Sequence, residues 1–516
     1  MKLSLRSSKK WSLSAIGILL VLLVLKIVLV LTAKPKVTVD YVAEYNKITI
    51  PPNYDPNDNA ADNYQKAFDS FHKMPVELRE PLKDWPTDFD DTNRNKLGQW
   101  LASNEEAFEY FKTASHKPYY WLERNVRDAN GMMSILFPEL APLRYLVEAM
   151  FWNAKLNAAN GQYQKGFEDI SACYRAGRQK CRTPSFLIEQ INGMSIKEKA
   201  LTAAMNIIDK CEVTTEDLRN FQLAIQGEFE KDTCALDFET ERLSLYDILQ
   251  RIFVYNSRGT GRFSWSTAHY FETMCGNHEN FILKCKLLWS CFVGPTHNEM
   301  IKNTEEIFFL FEPLRTETPW QLHARDPNYF RKLDVSRCQD CDSFNILGMF
   351  SPNPTRLFHK YYQVKAGQNA LLTIVAILRF KGDKNRFPDS LDELIAAGFL
   401  KSMPLDPYSD GSLIYKETKD NFLLYSVGED FRDDGGSAVI SFTSTGLGRQ
   451  GLPEDKRRDI VFWPVKKFER REKVIESPPD TNEIIEYWKS VTGQKDTNDI
   501  NFMNEVNLIR EISSKS

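Results

Sequence analysis

Asp430, Asp433, Asp434 and Asp459 are the chain's clustered acids with a glycine pair, Gly435-Gly436, beside them to shape a loop. Carboxylate oxygens of that kind suit calcium, which takes six to eight hard oxygen ligands. Asp434 and Asp459 join the candidate ligands by proximity alone. Asp433-Asp434-Gly435 also fits a solvated turn that simply reverses the chain. Cys338-Gln339-Asp340-Cys341 has the spacing of half a zinc site or of a redox dithiol. A structural zinc needs a second ligand pair, and Cys275 with His278 lies about 60 residues away without standard spacing. A local disulfide or two plain thiols is the simpler expectation. Histidines are scattered at 72, 116, 269, 278, 297, 323 and 359, and the chain holds no His-Glu-x-x-His, no Gly-x-Ser-x-Gly and no phosphate-cradling glycine loop. A catalytic triad is assembled in space, so the missing motifs lower an enzymatic reading without removing it.

The elements that must position these residues belong to a chain of 516 residues, longer than one core usually serves. A hydrophobic fraction of 42% beside 26% charged residues is that of a folded protein. The net charge of −4 hides a split. The first 36 residues carry seven lysines or arginines and no acid, so the remaining 59 basic and 70 acidic side chains leave that part at −11. Such a body has no overall attraction for phosphate backbones, and nucleic acid is not an expected partner. Nine cysteines are too dilute for a disulfide-built scaffold.

Leu13 to Leu31 holds fifteen Leu, Ile or Val residues with Lys26 its single charge, after a basic cluster from Lys2 to Lys10. On an insertion scale those residues contribute roughly −4.5 to −9 kcal/mol against about +3 for a central lysine. A single membrane anchor over 12–33 is therefore expected, with residues 1–11 cytoplasmic and the bulk of the chain extracytoplasmic. A cleaved signal is the rival, but the run is long and Leu31-Thr32-Ala33 is a poor cleavage site.

Prolines 35, 51, 52 and 56 make residues 34–57 read as an extended stalk. A helical domain is expected over 58–361, clearest at 140–229. There Leu143, Leu146, Val147, Met150, Phe151 and Ala154 form one stripe, Asn160-Gly161 breaks it, and Tyr163, Phe167, Ile170 and Tyr174 begin another. A turn that short makes the two helices pack antiparallel. Thr214 reads as the cap of the helix holding Leu218, Phe221 and Ile225. The spacing resembles tetratricopeptide-type hairpins without their full signature, so the expectation is an irregular helical-hairpin array. The aromatic run Tyr119-Tyr120-Trp121 reads as core packing at a helix start, and Glu305-Glu306 as a wet helix face. A long helix follows Pro352 and Pro354 through Tyr361, Ala366, Leu371, Ile374, Val375 and Leu378.

After that helix come Phe387-Pro388, Pro404-Leu405-Asp406-Pro407, apolar runs at Leu413–Tyr415 and Phe422–Ser426, and then Gly428 and Asp430. In this order the region from about Asn369 to Trp463 resembles the globular domain of the major pseudopilin of type II secretion systems. The resemblance implies a small α+β domain over 362–464. It also implies a calcium site in which Asp430 and the carbonyl of Val427 are the best matched ligands. The pseudopilin processing motif is absent beside the membrane run, and 22 residues separate Gly436 from Asp459. Residues 465–516 form a charged tail.

The fold expected is thus mainly α, a helical-hairpin array with an N-terminal transmembrane helix and a C-terminal α+β domain. The function expected is that of a membrane-anchored envelope protein that binds a protein partner or acts as a scaffold. The alternatives are an accessory of a type II secretion or pilus-like apparatus and an extracytoplasmic hydrolase whose site is assembled only in space.

Overall fold

A computed structural model describes residues 2–79, 85–126, 131–254, 256, 258–268, 281–333, 354–436 and 459–465, with side chains from residue 16 onward except at 281–283. The Cys338–Cys341 motif, Cys275, His269, His278 and the tail beyond Val465 lie outside the described residues.

The chain is mainly helical. Helix α1 covers Lys2–Thr32. Its side chains from Ile16 to Leu29 are exposed, and Val30 is the first to pack on the body. Among the described residues no helix is long and apolar enough to cross a membrane. The stretch of α1 with described side chains, Ile16 to Thr32, reaches about 25 Å against about 30 Å of bilayer hydrocarbon.

Residues 34–57, expected as an extended stalk, instead contain helix α2 (Tyr41–Thr49). Its N-cap Asp40 accepts from the backbone N–H groups of Val42 and Ala43. Capping within a proline-bracketed segment makes a short helix possible, and burial of Val42 and Tyr45 against Met132, Ile135 and Phe186 holds it. The Thr38 and Val39 N–H groups both donate to Gln250 Oε1, so the segment lies on the body.

Helices α3 (Ala61–Asp69), α4 (Asp91–Ala102) and α5 (Glu105–His116) lead into the hairpin region. This comprises α6 (Leu140–Ala159), α7 (Tyr163–Lys180), α8 (Leu187–Lys210) and α9 (Thr215–Glu230). The expected stripe on α6 is buried throughout, and Gly161 turns the chain at φ 76°. Thr214 caps α9 by accepting from the Asp217 N–H. Helices α7 and α8 approach closely because both carry glycine at the crossing. A Cβ on Gly193 would stand 2.5 Å from the Gly177 carbonyl oxygen and 2.6 Å from Cys181 Sγ. The aromatic run at Tyr119 packs as expected but in extended backbone: Tyr119 bridges to Asn59, and no helix starts there.

Helices α10 (Glu239–Ile252), α11 (Phe281–Phe292), α12 (His297–Phe311) and α13 (Pro319–Arg325) follow. Thr296 and Glu299 close a capping box at the start of α12, and Thr318 and Gln321 another at α13. The long α14 (Pro354–Lys384) then lies against α8 and α9. After the short α15 (Leu391–Ala396) come β1 (Ile414–Glu417), β2 (Phe422–Ser426) and β3 (Ile460–Trp463), an antiparallel sheet in the order β1-β2-β3. One continuous hydrophobic cluster of buried residues runs from Ala60 to Trp463 and includes side chains of both the hairpins and the sheet.

Candidate functional site

The acidic residues singled out in sequence meet at the end of the sheet. Val427 is buried and donates its N–H to Asp406 Oδ2 at 3.0 Å. Gly428–Asp430 then forms one turn of 3-10 helix, ended by Phe431 in the left-handed region at φ 60°. Asp430 Oδ1 accepts from the Arg432 N–H at 3.2 Å. Asp433 Oδ1 accepts from the Tyr425 hydroxyl at 2.7 Å and from the Gly435 N–H at 2.8 Å. Asp459 at the start of β3 uses both oxygens on backbone donors: Oδ1 on the Asp434 N–H at 3.3 Å and Oδ2 on the Gly436 N–H at 2.6 Å. Burial outweighs the backbone N–H donors and, with the neighbouring acids, holds the Asp430 and Asp459 carboxyls above the ordinary value.

Calcium would draw on those same oxygens. The structure brings Asp434 to Asp459 but spends the Asp459 carboxylate on the turn itself. Among the described residues no group of three or more His, Cys, Asp or Glu is arranged to hold a metal ion. The described contacts are those of a carboxylate-stapled turn. Asp406, from the proline-bracketed turn, does similar work: it accepts from Tyr408 N, Ser426 Oγ and Val427 N at 3.0, 2.7 and 3.0 Å. It ties the turn to the end of β2.

Two buried charge clusters were not legible as motifs. In the first, Arg124 reaches Glu139 at 2.7 Å and Glu189 at 2.9 Å, and Lys180 reaches both carboxylates at 3.2 Å. The Tyr45 hydroxyl of α2 donates to Glu189. Burial alone would push the Glu139 carboxyl up, but the Arg124 hydrogen bond and the Lys180 and Arg124 charges hold it below the usual range. Two acids face two bases, and the group pins α2 and the extended segment at Arg124 onto α7 and α8.

In the second cluster Asp232, after α9, accepts at Oδ2 from the Tyr174 hydroxyl at 2.6 Å, Lys197 Nζ at 2.8 Å and Gln368 Nε2 at 3.1 Å. Gln368 also donates to the Tyr174 oxygen. These donors come from α7, α8 and α14. Burial alone would raise the Asp232 carboxyl; Lys197, Lys365 and the hydrogen bonds from Lys197 and Tyr174 hold it well below the ordinary value. Burial would likewise depress Lys197, and the facing thiols, Tyr174 and Asp232 outweigh it. Cys181 and Cys234 stand beside this cluster, the Cys181 thiol donating to the Gln190 carbonyl at 3.4 Å and the Cys234 thiol to the Arg178 carbonyl at 3.5 Å. Both thiols are buried, which suits packing more than the reactivity of an accessible thiolate.

Comparisons with family profiles, with curated proteins and with solved structures return no match.

A signal for the second cluster was present in the sequence. Met194, Lys197 and Leu201 share one helix face, a lysine on an apolar stripe, and such a lysine needs a buried acid. Among the described residues the histidines do not assemble a site. His116 lies by Glu168 and Arg175, His323 stacks on Phe431 at 4.0 Å, and His359 lies against Tyr408.

Proposed function

We propose that this chain is a single-pass, membrane-anchored scaffold whose helical body stands on the extracytoplasmic side and binds a protein partner. The observation that carries the reading is helix α1. Its described side chains from Ile16 to Leu29 are apolar apart from Lys26 and find no cover on the body, while its last turn does. Counted in sequence from Leu13 to Thr32, the segment would reach about 30 Å, the thickness of bilayer hydrocarbon, and Lys26 can extend toward the headgroups. The basic cluster before it favours a cytoplasmic N-terminus.

The scaffold part of the reading rests on the charge clusters. In each, acids and bases answer one another across helices distant in sequence, an arrangement suited to holding a shape. The test is fractionation of cells making the full chain and a form lacking residues 2–33. The full chain should stay in the pellet after alkaline carbonate washing, and the shortened form should be released. Release of the full chain would defeat the reading.

A further inference from the structure

Helix α11 is apolar on two opposite sides. Leu287, Ser290 and Cys291 are buried in the core. On the other side Cys285, Leu288, Trp289 and the adjoining Val293 are exposed, Trp289 at 63% and Val293 at 54%. At about 100° per residue, Lys284 and Lys286 fall about 100° to either side of Cys285 and so border the exposed stripe. Large exposed apolar stripes of this kind mark a surface that meets something.

What meets it is indicated by position. Helix α11 contacts α1 and the 3-10 turn Trp265–Thr267, and α1 contacts that same turn. The anchor packs on the body only through its final turns, where Val30 is partly buried and the Ser264 hydroxyl donates to the Ala33 carbonyl at 2.7 Å. Helix α11 therefore lies beside the end of the uncovered apolar surface of α1. That end is where a spanning helix leaves the hydrocarbon.

We infer that α11 is an interfacial helix that seats the body on the outer face of the bilayer, with Leu288, Trp289 and Val293 in the headgroup region and Lys284 and Lys286 reaching lipid phosphates. Tryptophan favours that depth, lysine stems can lie along apolar surface while the ammonium stays hydrated, and an amphipathic helix lying in the interface plane binds by such contacts. The inference rests on the membrane-anchor reading. It adds that the body does not swing freely from its tether, since α2 and residues 38–39 are hydrogen-bonded to the same body.

The test uses the full chain in phosphatidylcholine–phosphatidylglycerol vesicles, with Cys211→Ser, Cys275→Ser, Cys338→Ser and Cys341→Ser so that an environment-sensitive fluorophore attaches at Cys285. The expected result is flotation with the vesicles, emission shifted to the blue of the water-exposed dye, quenching by headgroup spin-labelled lipid and protection from aqueous iodide. Flotation with water-like, iodide-quenched emission would overturn the inference and leave the anchor standing. Failure to float would bring down the anchor reading and this inference with it. In the otherwise native chain, Trp289→Phe should reduce the share of tryptophan fluorescence quenched by brominated lipid; an unchanged share would count against the seat without relying on the serine variants.

Discussion

Replacing Lys197 with methionine removes one charge of a buried pair and leaves the other. Lys197 is 1% exposed and its ammonium lies 2.8 Å from Asp232 Oδ2. At that separation the attraction is about 6 kcal/mol for an effective dielectric constant of 20. Part of this is offset by desolvation, and Tyr174 and Gln368 still donate to Asp232 in the variant. Breaking a buried pair by removing one partner costs about 3–5 kcal/mol. With an unfolding entropy of about 2.1 cal/mol/K per residue over a cooperative unit of roughly 400 residues, that cost lowers the melting temperature by about 4–6 °C. The assay is circular dichroism of the detergent-solubilised full chain at one fixed scan rate. Adding Asp232→Asn to Lys197→Met should recover most of the loss, because the amide oxygen still accepts from Tyr174 and the carboxylate is no longer left without its lysine. A Lys197→Met protein that melts with the parent, or a double variant no better than the single one, would refute the assignment of this pair as the tie between α7, α8 and α14.

The Asp232 carboxyl is depressed in the folded state, so its stabilisation is present above the unfolded pKa near 3.9 and is lost as pH falls through the folded value. The melting difference between parent and Asp232→Asn should be constant from pH 5 to 8 and shrink below about pH 4; a difference that grows in acid would reverse the sign argued here. Gly193→Ala places a methyl 2.5 Å from the Gly177 carbonyl and should cost about 1–3 kcal/mol by forcing α7 and α8 apart, read as an earlier unfolding midpoint in urea. Phe151→Asp puts a carboxylate into the buried stripe of α6 and should cost several kcal/mol; parent-like melting would show the face to be assigned wrongly. If the carboxylate of Asp459 serves as a staple, Asp459→Ala should destabilise by about 1–3 kcal/mol equally in millimolar calcium and in chelator, whereas a calcium-dependent difference would place the ion in the loop.

Much of the helical framework was legible because its signals are local. The stripe from Leu143 to Ala154, the Asn160-Gly161 break and the Thr214 cap each act within one or two turns, and the structure keeps all three. Helix α2 was hidden by the prolines around it. Asp40 could have been read as its cap, yet nine residues gain little helix stability without the burial of Val42 and Tyr45, which depends on partners about 90 to 140 positions away. The charge clusters were harder still: Gln368 and Asp232 are 136 residues apart, and nothing in either neighbourhood marks the pairing. At the sheet end the glycines and aspartates correctly marked a turn. Which oxygens were already committed to backbone N–H groups required the register of β2 on β3, set by Leu424 opposite Trp463 and Ser426 opposite Ile460.

The most direct test of the anchored, outward-facing body is protease digestion of sealed right-side-out vesicles carrying the full chain, after carbonate washing, with antibodies against the first eleven residues and against the hairpin region. The expected outcome is that added protease removes the hairpin signal while the N-terminal epitope stays protected until detergent is added. Loss of the chain in the carbonate wash, or a hairpin region protected while the N-terminal epitope is cut, would contradict the account.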